Sequence, residues 1–180
     1  MIDQQLIQRL KGNEEPAFKE LVLHHSYKLM TVAKVYTHSI HDAQDVLQDA
    51  LIIIFEKVST FQGDNPAAFY TWMKRIVINK ALSLKRKASR TRETSLDEMN
   101  VDQPFDANIL SKLSQEEIMK LIYELPLGYR QVFALFVIEG YSHKEIATKL
   151  KIKPSTSRSQ FIRAKRLLQK EIELLYKIAI

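Results

Sequence analysis

The stretch from Tyr141 to Leu168 constrains this chain most, because it holds two helical patterns joined by a turn of only three residues, Lys151-Ile152-Lys153. Ser142 stands three residues before Glu145, the spacing of a capping box. Its hydroxyl accepts from the amide of residue 145, and the Glu145 carboxylate reaches back to the amide of residue 142. Ile146, Ala147 and Leu150 then recur on one face. Ala147 is small enough for another helix to cross closely. Pro154 suits the first position of the second helix, where a missing N–H costs nothing. Phe161, Ala164 and Leu168 line one side of that helix. Ser155, Arg158, Ser159, Ile162, Arg163 and Arg166 fall on the other. This is the helix-turn-helix pattern, whose second helix enters the major groove. The blander alternative is a helical hairpin with a solvated basic face.

The charge distribution favours nucleic acid. The 180 residues carry a formal net charge of +6, unevenly spread. Residues 1–60 hold 6 Lys/Arg against 8 Asp/Glu, and residues 61–92 hold 8 against 1. Residues 93–126 hold 2 against 8, and residues 127–180 hold 11 against 4. Two basic blocks separated by an acidic one suggest two nucleic-acid contacts joined by a connector. With 46% hydrophobic residues a core is available, and 4 Gly and 5 Pro favour helices over a turn-rich β fold. The absence of Cys removes disulfides and thiolate metal sites and fits a reducing cytoplasm. Met1-Ile-Asp-Gln-Gln is not the start of a signal peptide, and no apolar run is long enough to span a bilayer.

Before the helix-turn-helix the chain reads as successive helices. Ile2 to Lys11 forms a short one. The next carries Phe18, Leu21, Val22, His25, Leu29, Val32, Ala33 and Tyr36 at three- and four-residue spacing. His24, His25, His38 and His41 supply no ligand set of recognisable spacing, so no metal site is expected. Asp42 to Val58 is a third helix, with Val46, Leu47, Ala50, Leu51, Ile54, Phe55 and Val58 inward. Asp42, Asp45, Asp49 and Glu56 share the opposite side with Ile52 and Ile53. Acidic faces are usually only solvated. Isoleucines beside one, however, suit a basic, partly apolar partner.

Ser59 to Pro66 breaks the periodicity as a loop, with Phe61 placed to fold back. A helix over Ala67 to Lys87 follows, with Phe69, Met73, Ile76, Val77 and Leu84 inward. Trp72, Arg75 and Asn79 form one stripe beside that core. Followed by Lys80, Lys85, Arg86, Lys87, Arg90 and Arg92, they suit a nucleic-acid strand: aromatics stack on bases, Asn pairs with a base edge and cations hold phosphates. The alternative for Trp72 is a core position. Thr91 to Ile109 reads as an acidic linker without a fixed fold. Ser114 and Glu117 form a second capping box, followed by Ile118, Leu121, Ile122 and Leu125. Tyr129 to Ile138 is read as one helix with Val132, Phe133, Phe136 and Val137 inward, ending before Gly140. Leu174 to Ile180 is apolar for a terminus. The fold class is therefore all-α, with two small helical domains joined by a flexible acidic linker.

Three motifs in order resemble the extracytoplasmic-function group of the bacterial sigma-70 family. They are Asp42-Ala-Gln-Asp-Val-Leu-Gln-Asp-Ala-Leu with Phe55-Glu-Lys57, then Phe69-Tyr-Thr-Trp-Met-Lys-Arg-Ile-Val-Ile-Asn79, then Leu125-Pro126 through Arg163-Ala-Lys165. The resemblance implies a region-two domain over 1–90, a linker over 91–111 and a region-four domain over 112–180. It implies a specificity subunit of RNA polymerase and not an enzyme, without cofactors, in the cytoplasm. Asp42, Asp45, Gln48, Asp49, Ile52, Ile53 and Glu56 would meet the clamp helices of the largest polymerase subunit. The flap of the second-largest subunit would be a further contact, and an anti-sigma factor the inhibitor. Phe61, Trp72, Lys74, Arg75, Asn79 and Lys80 would hold the minus-10 promoter element as a separated strand. Ser155, Thr156, Arg158, Ser159, Arg163 and Arg166 would read the minus-35 element as duplex.

Two positions depart from the family pattern. Lys151 stands where many members have Gly, which predicts a different turn. Ser157 stands where an aliphatic core residue is common, which predicts a looser helix start or a hydroxyl cap. Two other readings compete with that of a sigma factor. A conventional helix-turn-helix regulator would bind duplex operators without polymerase. An interaction protein would occupy polymerase without reading DNA, and the basic recognition helix argues against it. No phosphate-cradling loop or nucleophile motif supports catalysis.

Overall fold

The computed structural model describes residues 2–84 and 114–178. The chain divides into two compact units, Met1–Leu84 and Lys85–Ile180. Among the described residues it is all helix and turn, with no strand. The expected linker and the cations Lys85, Arg86, Lys87, Arg90 and Arg92 lie outside the described residues, as does Ala179-Ile180.

The first unit contains helices α1 (Gln4–Lys11), α2 (Glu15–Tyr36), α3 (Ile40–Lys57) and α4 (Pro66–Ser83), with a 3-10 turn at Val58–Thr60 after α3. Local capping starts three of them. The Asp3 carboxylate accepts from the Leu6 amide at 2.7 Å, and Ser39 Oγ accepts from the Asp42 amide at 3.0 Å. Asn65 Oδ1 accepts from both Ala67 and Ala68. Helices α2, α3 and α4 pack on one another, and α1 lies against α2, α4 and the 3-10 turn. Ile7, Leu21, Leu29, Val46, Ile54, Phe69, Met73 and Val77 are fully buried. Each such side chain contributes about 1.5–3 kcal/mol by leaving water.

Helix α4 differs from its expected outline. It ends at Ser83, so Leu84 is exposed rather than inward. Ile76 is only half-buried, whereas Ile78 is buried. A helix packed against both α2 and α3 buries a wider arc than a single-face pattern assigns. On α3 and the 3-10 turn after it the expected inward set is graded: Val46, Ala50, Ile54 and Val58 are buried, and Leu47 and Leu51 are half-buried. Phe55 lies at the edge, with its ring against Phe18 at 5.0 Å.

The second unit contains α5 (Gln115–Glu124), α6 (Leu127–Phe133), α7 (His143–Leu150) and α8 (Pro154–Ile178). Both capping boxes form, at Ser114/Glu117 and at Ser142/Glu145. Leu121, Ile122 and Leu125 of α5 pack with Ala164, Leu168 and Ile172 of α8, and α6 and α7 also lie on α8. The helix expected to run unbroken to Ile138 instead widens into a π turn over Ala134–Ile138, closed by the Glu139 amide on the Ala134 carbonyl at 3.1 Å. The wider turn changes which side chains face the core. Leu135 is fully buried, while Phe136 and Val137, expected inward, are exposed.

The Lys151 turn keeps the backbone that Gly would favour. Lys151 sits at φ 54°, ψ 46°, the left-handed conformation that ends α7, and the Ile152 amide donates to the Ala147 carbonyl at 3.0 Å. The substitution therefore leaves the turn unchanged and places its strain on a lysine.

Candidate nucleic-acid and partner interfaces

The first face lies on α8. Ser155, Arg158, Ser159 and Arg166 are exposed, and their spacing puts them on one arc together with half-buried Ile162. Thr156 and Arg163, expected beside them, are half-buried at its edge. Arg163 Nη1 donates to Tyr129 Oη at 3.4 Å, which ties α8 to α6. Lys151 and Lys153 stand exposed in the turn before the helix. The arc thus presents one arginine and two hydroxyls at the N-terminal end of a long helix, where the dipole also favours phosphate.

Ser157 neither loosens nor caps α8. It is fully buried, and its Oγ shares a hydrogen bond of 2.9 Å with Nδ1 of His143 on α7. Burial first, and then the charge of Arg158, hold the His143 imidazole below the ordinary histidine range.

The second face is on α4. Arg75 and Asn79 are exposed, and Trp72 is half-buried between them and an aromatic cluster. Its ring lies 5.5 Å from Phe69, stacked at 23°, and 5.6 Å from Phe61. Phe61 does fold back, meeting Phe69 edge-on at 5.1 Å. Trp72 is therefore part core wall and part surface, so neither of its two sequence readings is complete. Lys74 is half-buried on the same helix. Lys80 is engaged with Asp49 of α3 at 2.8 Å.

Sequence reasoning missed Lys11. From α1 its Nζ donates to the Gly63 carbonyl at 2.7 Å and lies 5.6 Å from the Phe61 ring centre. Gly63, at φ 101°, adopts a backbone that a side chain would strain. Residues 11 and 63 are far apart in sequence, and no local pattern joins them.

The third face is the acidic side of α3. Asp45, Gln48, Ile52 and Glu56 are exposed, with Ile52 at 57%. Asp42, Asp49 and Ile53 are half-buried shoulders of that face. Of the histidines, His24, His38 and His41 are exposed and His25 is buried. Among the described residues no group of three His, Cys, Asp or Glu is placed to hold a metal, and no helix is long and apolar enough to cross a membrane.

Residues 21–91 match the model of sigma-70 region 2, and residues 115–168 match that of sigma-70 region 4. The chain is 30% identical to the RNA polymerase sigma-H factor of Pseudomonas aeruginosa, over 98% of this chain and 97% of that protein. It is 27% identical to the ECF RNA polymerase sigma-E factor of Escherichia coli K12, with the same coverage. A solved structure of CnrH in complex with the cytosolic domain of CnrY shares the fold, at 24% identity and TM-score 0.50, over 97% of this chain and 99% of that one.

Proposed function

The chain belongs to the extracytoplasmic-function group of the sigma-70 family of RNA polymerase sigma factors, and from that premise we propose how its faces divide the work. Residues 1–90 act as the region-two domain, 91–111 as the linker and 112–180 as the region-four domain. The exposed side of α3, centred on Asp45, Gln48, Ile52 and Glu56 with Asp42, Asp49 and Ile53 at its shoulders, docks on the clamp helices of the largest polymerase subunit. Ser155, Arg158 and Ser159 read the minus-35 duplex, flanked by Thr156, Arg163 and Arg166. Trp72, Arg75 and Asn79 hold the minus-10 element as a separated strand, with Phe61, Lys74 and Lys80 around them. The protein acts in the cytoplasm as a binding subunit rather than a catalyst. The flap of the second-largest polymerase subunit and an anti-sigma factor are its further partners.

The observation that carries this division is the difference between the two DNA-suited faces. The α8 arc is a single-helix surface of Arg and Ser, the geometry and chemistry of major-groove readout. The α4 edge combines an indole backed by two phenyl rings with Arg75 and Asn79, which suits unstacked bases. Stacking one base gains about 1–3 kcal/mol, whereas opening several base pairs costs roughly 1.4 kcal/mol for every step and so exceeds that gain. A single small unit therefore does not melt DNA alone. It captures a strand while polymerase contacts supply the rest.

The test is reconstitution. The purified chain should be retained by bacterial core polymerase and should direct transcripts from discrete sites in genomic fragments. Tight, sequence-specific duplex binding by the free chain, with no retention by polymerase, would instead establish the conventional regulator.

A further inference from the structure

His143 is gripped on three sides. Its Nδ1 meets Ser157 Oγ at 2.9 Å, its ring stacks on Phe136 at 4.6 Å and 15°, and it meets Phe161 at 5.8 Å and 62°. Phe136 belongs to the π turn, and Ser157 and Phe161 to α8. One imidazole at the first position of α7 thus joins the π turn, α7 and the first turns of the recognition helix. Ser157 is fully buried, and Arg158, next in sequence, is exposed on the reading arc.

We infer that His143 and Ser157 are positioning residues for minus-35 recognition: their shared hydrogen bond sets the roll and depth of the first turns of α8, and so where Ser155, Arg158 and Ser159 meet base edges. The inference rests on the proposed reading of α8 as the minus-35 helix. Its physical basis is directionality. An aliphatic side chain in the Ser157 position would keep the two helices in contact but tolerate sliding and rolling. A hydrogen bond is confined to about 2.7–3.2 Å with a near-linear angle. Bidentate contacts to a base edge need placement within about half an ångström. The bond begins immediately beside the arginine that would make such a contact. Phe136 and Phe161 fix the plane of the imidazole, so its Nδ1 has one direction in which to find a partner.

Removing one partner of this part-buried pair also destabilises the fold, because the other is left unsatisfied, whereas replacing both by apolar groups is nearly neutral. The informative variant is therefore His143→Phe with Ser157→Ala, and Ser157→Val is a second that keeps the site filled. Each is assembled with core polymerase and presented with a duplex promoter library randomised across the minus-35 segment, taken from a promoter that the wild-type holoenzyme transcribes. Folding is checked by melting. Base preference at the position most sensitive to Arg158→Ala should fall roughly two- to tenfold, the worth of one neutral hydrogen bond, while retention by core polymerase is unchanged. Undiminished preference in either folded variant overturns the positioning role. A wild-type holoenzyme indifferent to the minus-35 sequence overturns the proposed function of α8, and this inference with it.

Discussion

Lys80 of α4 donates to Asp49 of α3 across 2.8 Å, so a cation expected on the DNA side is paired with an acid expected on the polymerase side. Both side chains are substantially exposed, at 31% and 49%. The pair is therefore worth at most about 1 kcal/mol to the fold. Its consequence is geometric: Asp49 leans toward α4, and half-buried Ile53 follows the same shoulder. On the acidic face of α3, Asp45 and Ile52 are both exposed and clear of that pair. Asp45→Arg together with Ile52→Glu should abolish retention by core polymerase while the melting temperature stays near that of the wild type. Native affinity in the folded double variant would remove α3 as the docking helix.

His25 should make stability depend on pH. It is buried in α2, neither ring nitrogen has a hydrogen-bond partner, and burial, followed by nearby positive charge, lowers its pKa. The unfolded chain therefore binds a proton that the folded chain refuses, and stability falls as pH drops through and below about 6.5. His143, also lowered, acts in the same direction. Thermal melts of the full chain between pH 7.5 and 5 should show the fall, and His25→Leu should reduce it. An identical fall in the variant would mean that His25 is not a source of it.

Lys151 holds a left-handed backbone, φ 54°, that costs a side-chain-bearing residue about 1–2 kcal/mol. Lys151→Gly should relieve this, and part of the gain is offset by the greater freedom of Gly in the unfolded chain. A net stabilisation of roughly 0.5–1 kcal/mol is expected by denaturant unfolding. A destabilised variant would show that the lysine side chain contributes more than its backbone strains.

What the sequence made legible was local. The capping boxes at Ser114/Glu117 and Ser142/Glu145 and the Pro154 start formed as read, because each depends on residues within a turn or two, whereas the α8 arc kept Ser155, Arg158, Ser159 and Arg166 exposed but left Thr156 and Arg163 half-buried at its edge. The misassigned faces of Phe136 and Val137 trace to one widened turn, which changes the period on which any face assignment rests. Lys11 with Gly63, Asp49 with Lys80 and His143 with Ser157 were illegible for another reason. Each joins different elements, and nothing in one-dimensional spacing marks it. Trp72 read ambiguously because it is in fact half wall and half surface.

Arg158 should carry base specificity. Arg158→Ala should cost roughly 1–3 kcal/mol at a promoter and relax preference at one position. Arg166→Ala, farther along the same arc, should weaken all sequences alike and lower the salt slope by about one. Equal, sequence-blind losses from both would show that Arg158 is not a reader.

Strand capture by the α4 edge is tested most cleanly at Arg75 and Asn79, because both are exposed while Trp72 also supports Phe61 and Phe69. The decisive measurement is permanganate reactivity of promoter thymines in holoenzyme carrying Arg75→Ala with Asn79→Ala. Retention by polymerase and minus-35 protection should be normal, but the thymines should stay unreactive because the separated strand is not held. Thymine reactivity equal to that of the wild type, in a variant that folds and binds polymerase, would contradict strand capture.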